Sequence, residues 1–308
     1  MSEFDWIAKY FAPLAKGEGA AGLKDDVATL SDGNRIVTVD AVVQGVHFLS
    51  SDSIDTVARK LVRVNVSDVI AKGARPAEAL LTLGWPKERS ESDLERFARA
   101  FGKELKQWGI SLLGGDTVIS PSGLFLSLTL TGRLPANRPP ILRSGAQAGD
   151  TVWISGEIGW GRAGLIAAQN GQENTAVQRY RVPEVPPLDI AEIVLEHAHA
   201  SMDISDGLIA DLQKLLKASD CGAVLHLDAV LIAPDLAGDP LEAALAACTV
   251  GDDYQCLFTA LADRQEAIAS FQGAKLTPIG SITEGEGLDL RWKGRSVPIP
   301  KNTGYEHG

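Results

Sequence analysis

"SMDISDGLIADL", residues 201–212, sets three carboxylates, Asp203, Asp206 and Asp211, among apolar residues with no Lys or Arg between them. From residue 205 to 222 the pattern reads as a helix capped by Ser205 or Asp206 and closed by Gly222. Its apolar stripe is Leu208, Ile209, Leu212, Leu215 and Leu216, and Asp211 falls on the polar side of that stripe. Three negative charges at the edge of a core need a reason, and the rest of the chain has to supply it.

Working outward, "DTVWISGEIG" (150–159) reads as the opening of the αβ series to which this helix belongs. Just before it, "PANRPPILRSGAQAGD" (135–150) is crowded with Pro, Gly and Arg, which marks a boundary. The expected division is therefore 1–141 and 142–308. In the first part, residues 35–49 read as a strand running into a loop. Residues 55–73 read as a helix with Asp55 as N-cap and Gly73 at its stop. A strand at 78–85, a helix at 91–109 and strands within 110–120 and 124–134 follow. The expected class is mixed αβ, α/β with α+β character, in two domains.

Composition narrows the partners. The chain has 308 residues, 45% of them hydrophobic, and a formal net charge of −11. That charge argues against nucleic acid or an anionic membrane as partner, and an anionic ligand would need local basic residues or bound cations. The N-terminal "MSEFDWIAKYFAPLAKG" does not read as a signal peptide, and no apolar run approaches the roughly 18 residues that span a bilayer. Cys221, Cys248 and Cys256 have no metal-type spacing, and their odd number argues against a disulfide framework. A reducing cytoplasm is the expected location.

Five acidic motifs recur beside small or apolar residues: "KDDVA", "TVD", "NVSD", "GGDT" and the opening stretch. Burial there would raise carboxylate pKa values unless a cation were present, and oxygen-only ligands suit Mg²⁺ rather than zinc. Taken singly, each has a plainer explanation. "GGDT" is turn chemistry, and Asp68 stands four residues before Lys72 as a solvated ion pair would. Arg143 reads equally as a surface arginine, and His47 as an ordinary loop histidine.

In order, "KDDVATL … TVDAVVQGVHF … VNVSDVIAKGARP … LLGGDT … SMDISDGLIADL … GDDYQCLF … GYEH" resembles the thiamine-monophosphate kinase family of the aminoimidazole ribonucleotide synthetase-like superfamily. The resemblance implies a two-domain PurM-like fold and ATP-dependent phosphorylation of thiamine monophosphate to thiamine diphosphate by direct in-line transfer. It implies several Mg²⁺ ions held at Asp26, Thr38, Val39, Asp40, Asp68, Asp116, Asp203 and Asp206, with Val39 contributing only its backbone carbonyl. It places ATP against Gly115, Asp116, Arg143 and Ser205, and the thiamine phosphate against His47, Asp252 and Tyr305. It implies a homodimer and no covalent nucleophile. Asp211, a turn further along the helix, is expected to be structural.

The chain departs from the family pattern at Lys24, where Gly is usual, and at Asp252, where Glu is usual. It also lacks the usual terminal Phe beyond Tyr305. Lys24 could meet a phosphate. The competing readings are another ATP-using enzyme of the superfamily with a different acceptor, or a non-enzymatic nucleotide or metal sensor on the same fold. A selenophosphate-forming enzyme would need an N-terminal reactive cysteine, and the first cysteine here is Cys221.

Overall fold

Two sheets lie on either side of the Pro-rich break. In the computed structural model, which describes residues 3–236 and 238–305, the first sheet has five strands. They are β1 (Ala28–Thr29), β2 (Arg35–Val43), β3 (Arg75–Pro86), β4 (Ser111–Ser120) and β5 (Phe125–Arg133), in the order β1-β2-β5-β3-β4. Only β3 and β4 are parallel, and the crossover between them holds a helix, as a parallel pair requires.

The second sheet is β6 (Asp150–Ser155), β7 (Ala198–Asp203), β8 (Gly222–His226), β9 (Cys256–Leu261), β10 (Leu276–Thr283), β11 (Gly287–Trp292) and β12 (Arg295–Val297). Its order is β12-β11-β8-β10-β6-β9-β7, antiparallel throughout except for β8 and β11. The helices are α1 (Glu3–Trp6), α2 (Ile54–Ala71), α3 (Glu91–Trp108), α4 (Trp160–Gln169), α5 (Thr175–Arg181), α6 (Ile190–His197), α7 (Leu208–Ser219), α8 (Pro240–Cys248) and α9 (Gln265–Ala269). The fold is two mixed sheets flanked by helices, the mixed αβ class expected from the sequence.

Helix α2 decides where the site lies. It packs on β2 and β5 of the first sheet and also reaches β7 and β9 of the second, so it is buried along most of its surface. Its start lies at Ser53 rather than Asp55, one residue before Ile54. Along this buried helix run buried polar residues: Lys60, Asn65, Ser67 and Asp68, with Lys72 at the C-cap. Lys60, Asp68 and Lys72 are eight and four residues apart, multiples of the four-residue spacing that stacks side chains on one helix face. Helix α3 is conventional by contrast. Ser90 accepts the Asp93 N–H, Phe97, Phe101, Leu105 and Trp108 are buried, and Gly109 closes it at φ 68°.

Strand β4 lies at the edge of its sheet and is exposed almost throughout. Leu112, Leu113, Val118 and Ile119 all face outward, an apolar surface that an edge strand of a monomer does not ordinarily carry.

Candidate active site

Helix α7 begins three residues later than its sequence pattern implies, at Leu208, and neither Ser205 nor Asp206 caps it. The cap comes from below. Asp211 is fully buried, and its Oδ2 accepts the N–H groups of Asp206 and Gly207 at 3.0 and 3.1 Å. Its other oxygen lies 2.7 Å from Lys214 Nζ, which also pairs with Asp206. Asp211 is thus architecture, as expected, but it acts from inside the core rather than from the helix's polar side.

The loop that Asp211 holds presents Ser205 and Asp206 beside Asp203, the last residue of β7. A second loop closes onto it. The N–H groups of Asp252 and Tyr254 bond to the carbonyls of Ser205 and Ile204, each at 2.8 Å. Gly251 makes this approach possible, since a Cβ there would stand 1.8 Å from the Ser205 carbonyl oxygen. The C-terminal segment lies across the same loop, with the Tyr305 N–H on the Asp206 carbonyl at 2.9 Å.

Opposite stand β2 and α2. Alternation along β2 turns Thr38 and Asp40 toward α2 and leaves the Val39 side chain on the other, exposed face. Thr38 Oγ1 donates to Asp68 Oδ2 at 2.6 Å, Ser67 Oγ donates to Asp203 Oδ2 at 2.6 Å, and Asn65 accepts the Asp40 N–H at 3.0 Å. Asp40 lies in mid-strand rather than near a strand end. The enclosed space is a cavity of about 460 Å³. Asp26, Thr38, Val39, Asp40, His47 and Asp68 border it from the first domain, as do Arg143, Asp203, Ser205, Asp206, Asp252 and Tyr305 from the second part of the chain.

Two expected residues are not there. Gly115 and Asp116 sit in β4. Register carries Asp40 across Leu128 and Leu81 to Gly115, three strands away, or roughly 14 Å at about 4.8 Å per strand. Lys24 is exposed and does not border the cavity.

Charge at the cavity is unbalanced. Burial pushes the Asp68 carboxyl well above the ordinary range, and Asp203, Asp40 and Asp26 add to it. Asp203 is raised in the same way, by burial and then by Asp26. Burial, with the charges of Asp26 and Asp206, lifts Asp40 to about 7. Asp26 is the exception. Burial would raise it, but Lys72 and Arg143 outweigh burial and hold it well below the usual carboxylate range. Asp26, Asp68 and Asp203 each offer an oxygen within 4.8 Å of the other two, close enough to share one cation. This oxygen-only set of buried carboxylates fits Mg²⁺.

The basic residues are placed differently from what their spacing implies. Lys72 is fully buried and pairs with Asp25 and Asp26 at 3.0 and 2.6 Å, not with Asp68 in solvent. Arg143 is no surface arginine. Its N–H donates to Asp25 at 2.7 Å, its guanidinium pairs with Asp26, and it is largely buried. His47 Nδ1 accepts the Val43 N–H at 3.1 Å, which leaves Nε2 as the protonated nitrogen of the neutral ring. Lys60 stands out as a residue the sequence pattern did not single out. Its ammonium is buried, lies 2.6 Å from Asp252 Oδ2 and 3.0 Å from the His47 carbonyl, and sits over the Tyr180 ring at 4.4 Å.

Two sheets sharing one buried helix, with carboxylates and basic side chains around a cleft between the halves, define an AIR synthase-related protein. Residues 24–134 match the model of the AIR synthase related protein N-terminal domain, and residues 147–293 match that of its C-terminal domain. Within that class the chain belongs to the thiamine-monophosphate kinase family. It is 38% identical to the thiamine-monophosphate kinase of Caulobacter vibrioides, across 100% of this chain and 91% of that protein. It is 32% identical to the one from Escherichia coli K12, across 95% and 97%. A structure described as AaThiL complexed with AMPPCP and TMP superposes with a TM-score of 0.86 at 30% identity, covering 100% of this chain and 97% of that one. The thiamine monophosphate kinase of Aquifex aeolicus follows with a TM-score of 0.81, at 30% identity and 96% coverage of both chains. A hydrogenase maturation protein of E. coli, at 18% identity and a TM-score of 0.70, shares the fold.

Proposed function

We propose that the chain transfers the γ-phosphoryl group of ATP to thiamine monophosphate, giving thiamine diphosphate. The observation that carries the reading is the cavity between the two halves, where buried carboxylates without enough basic partners face Arg143 and His47. The related structure that holds an ATP analogue together with TMP supports these two substrates. On this reading Asp26, Asp40, Asp68, Asp203 and Asp206, with Thr38 and the Val39 carbonyl, hold Mg²⁺, which neutralises charge on the phosphates.

The chain's own residues position the reactants. Arg143 and Ser205 meet the nucleotide, His47 offers its Nε2–H to the acceptor's phosphate, and Asp252 and Tyr305 border the thiamine. The acceptor brings an anionic oxygen of its own, so alignment and charge neutralisation are what the protein has to supply. The thiols are poor nucleophiles. Cys221, Cys248 and Cys256 are buried, and burial pushes Cys256 up to about 12 and Cys248 higher still.

Asp116 needs a second chain on this reading. Its distance from Asp40 and the outward apolar face of β4 favour a homodimer in which Asp116 and Gly115 serve the partner's site. Mixing Asp40→Ala and Asp116→Ala chains should then restore about a quarter of wild-type activity, because half of random pairs hold one intact site. No recovery in the mixture, with subunit exchange shown, contradicts the arrangement. The division at 141/142 and a cytoplasmic location complete the proposal. No described helix is long and apolar enough to cross a membrane.

The raised carboxyls make cation binding pH-dependent. Without a cation, the folded chain keeps protons on Asp40, Asp68 and Asp203 that the unfolded chain loses above about pH 4. Stability of the ion-free protein therefore falls as pH rises from about 4 toward and beyond 7, and Mg²⁺ binding at pH 6.5 releases protons. Calorimetry in buffers of different ionisation enthalpy should show that release, and Mg²⁺ should raise Tm more at pH 8 than at pH 6. Proton-neutral binding contradicts the assignment.

The function itself is tested by incubating purified protein with ATP, Mg²⁺ and thiamine monophosphate, with free thiamine as control. Thiamine diphosphate from the monophosphate alone is the expected result. ATP turnover without it, or phosphorylation of free thiamine, overturns the reading.

A further inference from the structure

Lys72 stands at the C-cap of α2 and is completely buried. Its ammonium donates to the Ser201 carbonyl at 2.6 Å and lies 3.0 Å from Asp25 Oδ1 and 2.6 Å from Asp26 Oδ2. Three oxygens from two separate segments, the Asp25–Asp26 pair and β7, thus surround one positive charge, the arrangement of a small oxygen-lined cation site. Here the cation is tethered to the chain. Asp26 belongs at once to this site and to the triple with Asp68 and Asp203, so the ammonium stands directly behind the carboxylates proposed to hold Mg²⁺. Two carboxylate oxygens within 3.0 Å balance the charge of the buried ammonium.

We propose that Lys72 is a resident cation of the polyphosphate site, which neutralises Asp25 and Asp26 and so weakens the binding of divalent ions until the nucleotide adds its own charge. The inference rests on the proposed Mg²⁺ role of Asp26, Asp68 and Asp203 and extends it. Asp25 gains a part as well. It sets the local charge through Lys72 and Arg143 without bordering the cavity.

The test is a titration of nucleotide-free protein with Mn²⁺, read by the electron paramagnetic resonance of free Mn²⁺. A positive charge a few ångströms from a divalent ion repels it strongly at an effective dielectric near 20, so Lys72→Met should bind its first Mn²⁺ at least about tenfold more tightly than wild type. Asp25→Asn leaves the ammonium under-neutralised and should weaken Mn²⁺ binding several-fold. A purely structural role predicts the opposite for Lys72→Met, weaker binding by a loosened site. Should Lys72→Met fail to fold, Asp25→Asn alone decides: unchanged affinity overturns the proposal. Mn²⁺ binding by wild type with variants that do not shift overturns the role of Lys72 alone. Absence of Mn²⁺ binding by wild type, even with a non-hydrolysable ATP analogue, overturns the metal reading with it.

Discussion

Replacing Asp40 or Asp206 by Ala is expected to lower kcat about 10³-fold or more with the fold preserved, a loss in the range seen when a preorganised electrostatic stabiliser is removed. Asp40 faces the cavity from the middle of β2, and Asp206 faces it from the loop before α7. Neither supports the core, so their loss should show in turnover and in Mg²⁺ binding rather than in Tm. Asp211→Ala should behave in the opposite way. It removes the acceptor of two loop N–H groups, which costs about 1–3 kcal/mol for each buried group left unsatisfied, and leaves Lys214 paired with Asp206 alone. Some turnover is lost too, because the loop carrying Asp206 loosens. Equal losses of kcat in all three variants, with unchanged thermal unfolding, would remove the distinction between cation ligands and architecture.

Lys60→Met should destabilise the protein by a comparable amount, about 3–5 kcal/mol, and raise KM for thiamine monophosphate more than it lowers kcat. Lys60 is buried and ties Asp252, 192 residues away, to the carbonyl of His47, with Tyr180 beneath the ammonium. Two residues assigned to the acceptor are thereby held by one cation from the first domain. Without it the Asp252 carboxylate is left in a site where burial already raises its pKa. Adding Asp252→Asn to Lys60→Met should recover part of the stability, because the unpaired charge is gone, but not the KM. A Lys60→Met protein with unaltered Tm would show that the pair carries no structural weight.

Most strands and the long helices were readable from the sequence because their apolar periodicity is strong. The expected helix at 55–73 is found at Ile54–Ala71, and the expected one at 91–109 at Glu91–Trp108. The helix after "DISDG" starts later than its pattern suggests, since the stabilising carboxylate is Asp211 inside the helix rather than a residue at its N-cap. Twelve of the residues chosen from motifs border one cavity, whereas Gly115 and Asp116 lie in the edge strand. Lys60 and Lys72 were hidden because a lysine on a helix is ordinarily solvated, and what buries these two comes from distant segments. A weak signal was present nonetheless: Lys60, Asp68 and Lys72 repeat at multiples of four, on one face of the helix.

On the proposed mechanism, alignment and neutralised charge suffice for transfer, with no phosphorylated enzyme on the way. The most direct test uses ATP made chiral at the γ-phosphorus with sulfur and oxygen isotopes, and reads the configuration of the thiophosphoryl group in the thiamine product. One in-line displacement inverts the configuration, and inversion is the predicted result. Retention, the mark of two displacements through a covalent intermediate, would contradict it.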